Sequence, residues 1–361
     1  MSATGGAERW VPSDPGAAVS SATVGVVVIG RNEGDRLKRC LNSVIRHARR
    51  IVYVDSGSTD GSVAWAREHG VEVLELDMNV PFTMARGRNA GWRHLVRDGD
   101  ISLIQFVDGD CEVVEGWIET AVDALEARPD VVAVCGRRRE RSPDATLYNA
   151  LTDLEWATDP GETHAFGGDV MIRREAIEAV GGFNEAMIAG EEPELSVRLR
   201  ADGGRIVRLV AEMTRHDAAM TRFGQWWRRA RRAGHAYAEG ASLHGNGPYR
   251  HNVRQLRSAW LWGLTLPALA VAGAAAALLL GPIWWTLPAV VLGLLAVQTM
   301  RIASRRRRAG VSKLAFVYAV FCMIAKPAQA IGALEFRVNR MLGRRRKLIE
   351  YKTSGSTAPK A

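Results

Sequence analysis

ISLIQFVDGDC, residues 101–111, is a largely apolar run from Ile101 to Val107 that stops on two carboxylates one residue apart, Asp108 and Asp110. A run of that length reads as a buried strand. An acid pair at its end needs a reason, because two like charges so close raise each other's cost of ionisation unless a cation or a set of donors neutralises them. A solvated turn is the bland alternative, since Asp and Gly are common turn residues. The sequence around the run separates the two.

From Val24 the chain alternates. VGVVVI, RIVYVD, VEVLEL, LIQFVD and VVAVCG have strand character, and between them lie helical stretches over Asp35 to His47, Gly61 to His69, Ala85 to Arg97 and Gly116 to Arg128. This order predicts an α/β domain with a mostly parallel sheet covered on both faces. Such sheets bind ligands beyond the carboxyl ends of their strands. The segments at those ends, GRNEGD, DSGSTDGS and DGDC, are small, polar and acidic, and they are expected to line one rim. No GxGxxG follows the first strand and no GxxxxGK occurs, which excludes a dinucleotide fold and a P-loop enzyme. An acidic rim without a phosphate-cradling glycine loop points to a divalent metal, Mg²⁺ or Mn²⁺, held by Asp108 and Asp110 and shared with substrate phosphates.

The 361 residues carry a formal charge of +9, but the excess is local: residues 251–361 hold 17 Lys and Arg against 2 acids, and the part before them is net acidic. The basic part also contains the long apolar runs Trp260 to Leu280 and Ile283 to Met300, each close to the roughly 20 residues of a bilayer-spanning helix. They read as a membrane hairpin turning at Gly281 and Pro282. Arg301 and Arg305 to Arg308 follow, which places that end, and with it the N-terminal domain, in the cytoplasm. The expected anionic partner is therefore a membrane and not nucleic acid. A third run, Leu314 to Leu334, contains Lys326 and Pro327 and precedes another basic cluster, so a re-entrant or interfacial helix is expected there. The segment 221–257 includes QWWRRARRAG and reads as a basic amphipathic helix on the membrane surface. Residues 1–22 are rich in Ser, Ala, Gly and Pro and are expected to be disordered, with no cleaved signal peptide. Cys40, Cys111, Cys135 and Cys322 show no ligand spacing and read as reduced thiols.

Several motifs in order resemble the family 2 glycosyltransferases, GT-A enzymes that use a nucleotide-sugar donor, over about Val24 to Asp217. VVVIGRNEG is similar to the first strand and nucleotide loop, which assigns Gly30, Arg31, Asn32 and Glu33 to the donor. VDSGSTDGS resembles the base-binding motif through Asp55, with Ser56 where a second carboxylate is usual. ARGRNAG resembles the arginine motif near the nucleotide, assigning Arg88 and Asn89 and adding Arg86 as a further cation. FVDGDC resembles the DxD motif, so Asp108, Gly109 and Asp110 would meet ribose and metal.

Further along, HAFGGDVMIRR resembles the acceptor-side segment, with Gly168 and Asp169, and GEEPELSVRL resembles the motif of the catalytic base. Glu192 stands at the base position, with Glu191 before it and Pro193 and Glu194 opening a helix. His216 occupies the place of a C-terminal metal ligand. The resemblance implies an inverting hexosyltransferase with Glu192 as base, acting on a lipid-linked saccharide, glycolipid or polysaccharide. A polyprenyl-phosphate glycosyltransferase and a non-catalytic nucleotide-sugar-binding scaffold are the alternatives.

Overall fold

Val24–Gly30 forms β1, and every residue from Val24 to Ile29 is buried. A strand with no polar face must be covered on both sides, and that requirement organises the first part of the molecule. The computed structural model describes residues 23–311 and 313–344. The segment 1–22, expected to be disordered, and the end of the basic tail lie outside the described residues. The described chain divides between Ala219 and Met220 into two compact units.

In the first unit the order after β1 is α1 (Asp35–Val44), β2 (Arg50–Asp55), α2 (Ser62–Glu68), β3 (Glu72–Glu75), α3 (Met84–Leu95), β4 (Leu103–Asp108), β5 (Cys111–Val113), α4 (Trp117–Glu126) and β6 (Val131–Glu140). Then come α5 (Leu147–Trp156), β7 (Gly161–Glu162), β8 (Val170–Arg173), α6 (Arg174–Ala179), α7 (Glu191–Ala201) and β9 (Arg205–His216). The helices read from the sequence are all present, with trimmed ends. α2, for example, starts only at Ser62, because Gly61 sits at its N-terminus with φ 81°, a left-handed conformation outside the helix.

The sheet order is β3-β2-β1-β4-β8-β6-β9-β5, with β7 beside β9. β1 to β4 are mutually parallel, and β8 enters antiparallel between β4 and β6. The sheet is thus mixed but mostly parallel, as the alternation predicts. Register puts Gly30 opposite Asp55 and Ile29 opposite Asp108, so the polar ends of β1, β2 and β4 fall side by side. β6 runs four residues past Gly136, through Arg137 to Glu140, a continuation that the sequence reading did not foresee.

The second unit is helical: α8 (Phe223–His244), α9 (Val253–Trp260), a π-helical turn (Leu261–Thr265), α10 (Leu266–Leu280), α11 (Thr286–Arg308) and α12 (Ala315–Met341). Arg305 to Arg308 form the last turn of α11. The stretches Val253–Leu280, Pro282–Arg308 and Ala315–Met341 are each long and apolar enough to cross a membrane, by length and composition alone. Pro327 lies inside α12 and does not end it, so the third apolar run is one continuous helix.

Candidate active site

Two loops build the donor end of the rim, and their side chains are largely spent on each other. Asn32 has φ 54°, a left-handed conformation that Asn tolerates better than most residues. Its backbone N–H donates to Ser58 Oγ (2.9 Å), and its Oδ1 accepts the Thr59 N–H (2.7 Å). The Gly34 N–H donates to Asp60 at 2.9 Å, and Glu33 pairs with Arg36 at 2.8 Å. Arg31 is exposed.

Asp55 accepts from the Tyr53 hydroxyl (2.7 Å) and from the N–H groups of Gly57 and Ser58 (2.8 Å each). The Ser56 hydroxyl donates to the Gly30 carbonyl at 3.1 Å. Asp55 and Ser56 are each 1% exposed. With three hydrogen bonds to Tyr53, Gly57 and Ser58 and no exposed edge, Asp55 fixes the shape of the loop after β2.

Arg88 is 1% exposed, and its guanidinium is shared by three carboxylates: Nη2 lies 2.8 Å from Asp108 and 3.0 Å from Glu192, and Nη1 lies 3.0 Å from Glu191. Burial alone would lower its pKa, but Glu192, Asp108 and Glu191 outweigh that and hold it above the ordinary arginine value. A guanidinium so committed is a charge hub that holds Asp108, Glu191 and Glu192 together. Asn89 is likewise structural. It donates to the Phe183 carbonyl (2.8 Å) and Glu185 (2.7 Å) and accepts from the Phe183 N–H and the Trp92 indole (2.9 Å each), tying α3 to the segment before α7. Arg86 donates to the carbonyls of Asp77 and Val80, at 2.9 Å each, and shapes that loop.

Asp108 ends β4 with its carboxylate against Gly168. Because β8 opposes β4 with Phe106 facing Val170, Gly168 falls opposite Asp108, where a Cβ would come within 2.2 Å of Asp108 Oδ2. Asp169 is fully buried. It accepts the Asp108 N–H (3.0 Å) and the Thr214 hydroxyl (2.6 Å), and it pairs with Arg138 at 2.8 Å. It therefore positions Asp108 from below. Gly109 is pinned by its N–H to the Ile29 carbonyl at 2.8 Å.

The two acids of the DGD turn part company. Among the described residues, Asp110, Cys111 and His216 bring ligand atoms within 4.8 Å of one another, and so do Asp108, Cys111 and Asp169, but neither cluster includes both Asp108 and Asp110. The Cys111 thiol, which both clusters share, is pushed well above its usual pKa by burial and Asp169 and so does not separate them, but Arg138 occupies the flank of the second. The first cluster fits a divalent cation better: His216 Nε2 lies 3.4 Å from Asp110 Oδ2, both side chains are buried, and His216 Nδ1 is buried without a hydrogen-bond partner. An oxygen and an imidazole nitrogen are donors that Mg²⁺ and Mn²⁺ accept, the imidazole more readily with Mn²⁺.

Glu191 and Glu192 sit in the first turn of α7, which begins at Glu191, two residues before Pro193. Glu191 is 1% exposed and faces Arg88, whereas the Glu192 side chain retains 16% exposure. Burial first, then the Glu191 carboxylate, pushes Glu192 up to about 7 against the opposing pull of Arg88.

Sequence reasoning missed three residues. Arg138 bridges Asp169 and Asp108 and lies with Cζ 5.4 Å from the Trp156 ring, and Trp156 meets His216 edge-on at 4.7 Å. Glu140 is buried, accepts the Ala218 N–H at 3.1 Å, and stands 3.9 Å from His216 Nδ1. The sequence carried no periodic signal for Arg138 and Glu140, because Arg137 to Glu140 are all charged.

Fold and rim together define a glycosyltransferase domain of the GT-A type. Residues 25–181 match the family described as Glycosyl transferase family 2, and this segment is a domain of that family. Among curated proteins, the chain is 24% identical over 177 residues to glycosyltransferase AglE of Haloferax volcanii, covering 46% of this chain and 58% of that protein. It is also 24% identical over 231 residues to the O-antigen biosynthesis protein RfbC of Myxococcus xanthus, covering 55% and 18%. The chain thus spans little more than half of the first relative and less than a fifth of the second. The solved mannosyltransferase PcManGT from Pyrobaculum calidifontis, in complex with GDP-Man and Mn²⁺, superposes with TM-score 0.54 at 23% identity over 85% of this chain and 86% of that one. A likeness at that identity speaks to the fold.

Proposed function

We propose that this protein transfers a sugar, with inversion, from a nucleotide-sugar donor to a hydroxyl of a lipid-linked saccharide, glycolipid or polysaccharide at the cytoplasmic face of a membrane. The observation that carries this reading is Glu192 at the mouth of α7. It is partly exposed, poised near neutrality, and held by the same Arg88 that holds Asp108 at the end of β4. A carboxylate with that pKa accepts a proton efficiently at physiological pH.

The loops after β1 and β2 would seat the nucleoside, with Asp55 and Asn32 fixing their shape. Asp110 and His216 would hold Mg²⁺ or Mn²⁺, with Asp108 beside them, and the ion would supply charge neutralisation for the departing diphosphate. On the opposite side of the anomeric carbon, Glu192 takes the proton of the acceptor hydroxyl as its oxygen attacks. Arg88 keeps Glu192 and Asp108 at a fixed spacing, so the base and the donor end of the site move as one frame.

Membrane placement is supported by the length and apolarity of the two helices around the Gly281 turn and by Arg305 to Arg308 at the end of α11. A bound enzyme meets lipid-linked acceptors at high effective concentration. The relative named for O-antigen biosynthesis fits an acceptor of that class.

The test is Glu192→Gln, assayed for nucleoside diphosphate release with acceptor and for donor binding by calorimetry. Turnover should fall by about 10²–10⁴, the usual worth of a general base, with donor affinity retained. Unchanged turnover would remove Glu192 from the base role.

A further inference from the structure

The three apolar stretches of the second unit differ in what they touch. α10 and α11 pack as a hairpin, with Gly273 against Leu287 and Pro288, and the chain turns at Gly281. The opposite end of the hairpin is marked by Trp260 and Gly263 before α10 and by Arg305 to Arg308 at the close of α11.

Three contacts tie α12 to that second end. Near its start, the Tyr318 hydroxyl accepts a hydrogen bond from Arg306 at 2.8 Å. Midway, Gly263 presses on the α12 backbone, where a Cβ would come within 2.1 Å of the Lys326 carbonyl oxygen. Near its end, Arg337 Cζ lies 4.8 Å from the Trp260 ring. Tyr318 and Arg337 are separated by about 28 Å of helix axis at 1.5 Å per residue. A helix rising beside the hairpin would carry one of these contacts to the Gly281 turn. α12 instead runs across the hairpin's basic end.

α8 accompanies it. Trp226 meets Phe321 edge-on at 5.0 Å, Arg231 pairs with Glu335 at 2.8 Å, and His235 meets Phe336 at 5.5 Å. Gly234 and Gly332 let the backbones touch, since a Cβ on either would stand 1.9 Å from a carbonyl oxygen of the other helix. Helices in such contact share one depth, and α8 carries Arg228, Arg229, Arg231 and Arg232, which hydrocarbon does not accommodate cheaply. On α12 the exposed apolar residues Ile324, Ile331, Leu334, Val338 and Met341 recur at helical spacing along one face, clear of Lys326, Arg337 and Arg340.

We propose that α8 and α12 form a two-helix platform lying in the plane of the membrane interface. The apolar stripe of α12 faces the acyl boundary, the arginines face the phosphates of anionic lipid, and the chain crosses the bilayer twice, not three times. The inference rests on the membrane reading given above and deepens it. It also separates α12 from the two stretches it resembles in length and composition.

The test uses the full chain in intact cells, with two single substitutions at exposed positions, Ile283→Cys in the hairpin turn and Arg344→Cys after α12. A membrane-impermeant maleimide is applied before and after permeabilisation. The wild-type chain sets the background, its cysteines being buried or half-buried. The expected result is that I283C reacts from outside and R344C only after permeabilisation. Reaction of R344C from outside means a third crossing and overturns the platform. Reaction of I283C only after permeabilisation removes the hairpin itself, and with it the membrane reading.

Discussion

Arg88 and Glu192 meet at 3.0 Å, Nη2 to Oε1, with the guanidinium 1% exposed and Asp108 and Glu191 completing its circle of acids. Removing the cation would leave the buried Glu191 unpaired beside the partly exposed Asp108 and Glu192. Breaking a buried pair from one side costs about 3–5 kcal/mol. Arg88→Met should therefore lower the unfolding temperature measured in detergent, and Arg88→Lys should recover part of the loss. A melting curve for Arg88→Met that superposes on the wild type would show that the hub carries no structural weight.

The position of Glu192 also sets a pH dependence. A base must be ionised to act, and burial and Glu191 have pushed this group up to about 7. The log of kcat should fall about one unit per pH unit below that value and level off above it. The same shift acts on stability with the opposite sense. A group whose folded pKa is raised contributes stability that is present below its ordinary range near 4.5 and is lost as pH rises through about 7, on the order of 3 kcal/mol. Glu192→Gln should accordingly gain on the wild type in unfolding experiments between pH 5 and pH 8. A constant difference across that range would place the ionisation elsewhere.

Glu140 governs the other half of the site. Its Oε2 lies 3.9 Å from His216 Nδ1 while the Ala218 N–H holds it in place, so its charge would favour a proton on Nδ1 once a cation takes the Nε2 lone pair between His216 and Asp110. Loss of such a supporting carboxylate typically lowers metal affinity about 10–100-fold. Glu140→Gln should show that loss in a titration with Mn²⁺ alone, followed by electron paramagnetic resonance, with the melting temperature nearly kept. Equal affinity in both proteins would confine Glu140 to anchoring the chain at Ala218.

The sheet was legible because its inner strands are almost wholly apolar: β1 has no polar side chain, β2 and β4 carry only Arg50 and Gln105 before their closing Asp55 and Asp108, and register then sets the three ends side by side. The motifs likewise located Asp110, His216 and Glu192. What the sequence could not show was how the hydrogen-bonding capacity of each side chain is used. Asp55 and Asn89 occupy motif positions that suggest ligand contact, yet their partners are Gly57, Ser58, Phe183 and Trp92, groups brought near only by the folded loops. Arg88 could not be told from a phosphate ligand, because two of the acids that claim it, Glu191 and Glu192, are brought to it from a distant part of the chain, Glu191 being 103 residues away. Arg138 and Glu140 stayed hidden in a run of charges that resembles a solvated turn, although β6 carries them to the site.

β8 joins the sheet at the rim, running down from it between two strands that run up. Residues 157–167 therefore reach the site from outside, hinged on Trp156 at one end and seated by the Gly168 and Asp108 contact at the other. Their middle is fixed by the sheet, where β7 pairs with β9 at Gly161–Arg208 and Glu162–Val207. A change of length before Gly161 alters the rim without moving β7 or the acid pair, which makes residues 157–160 the interchangeable part of this wall.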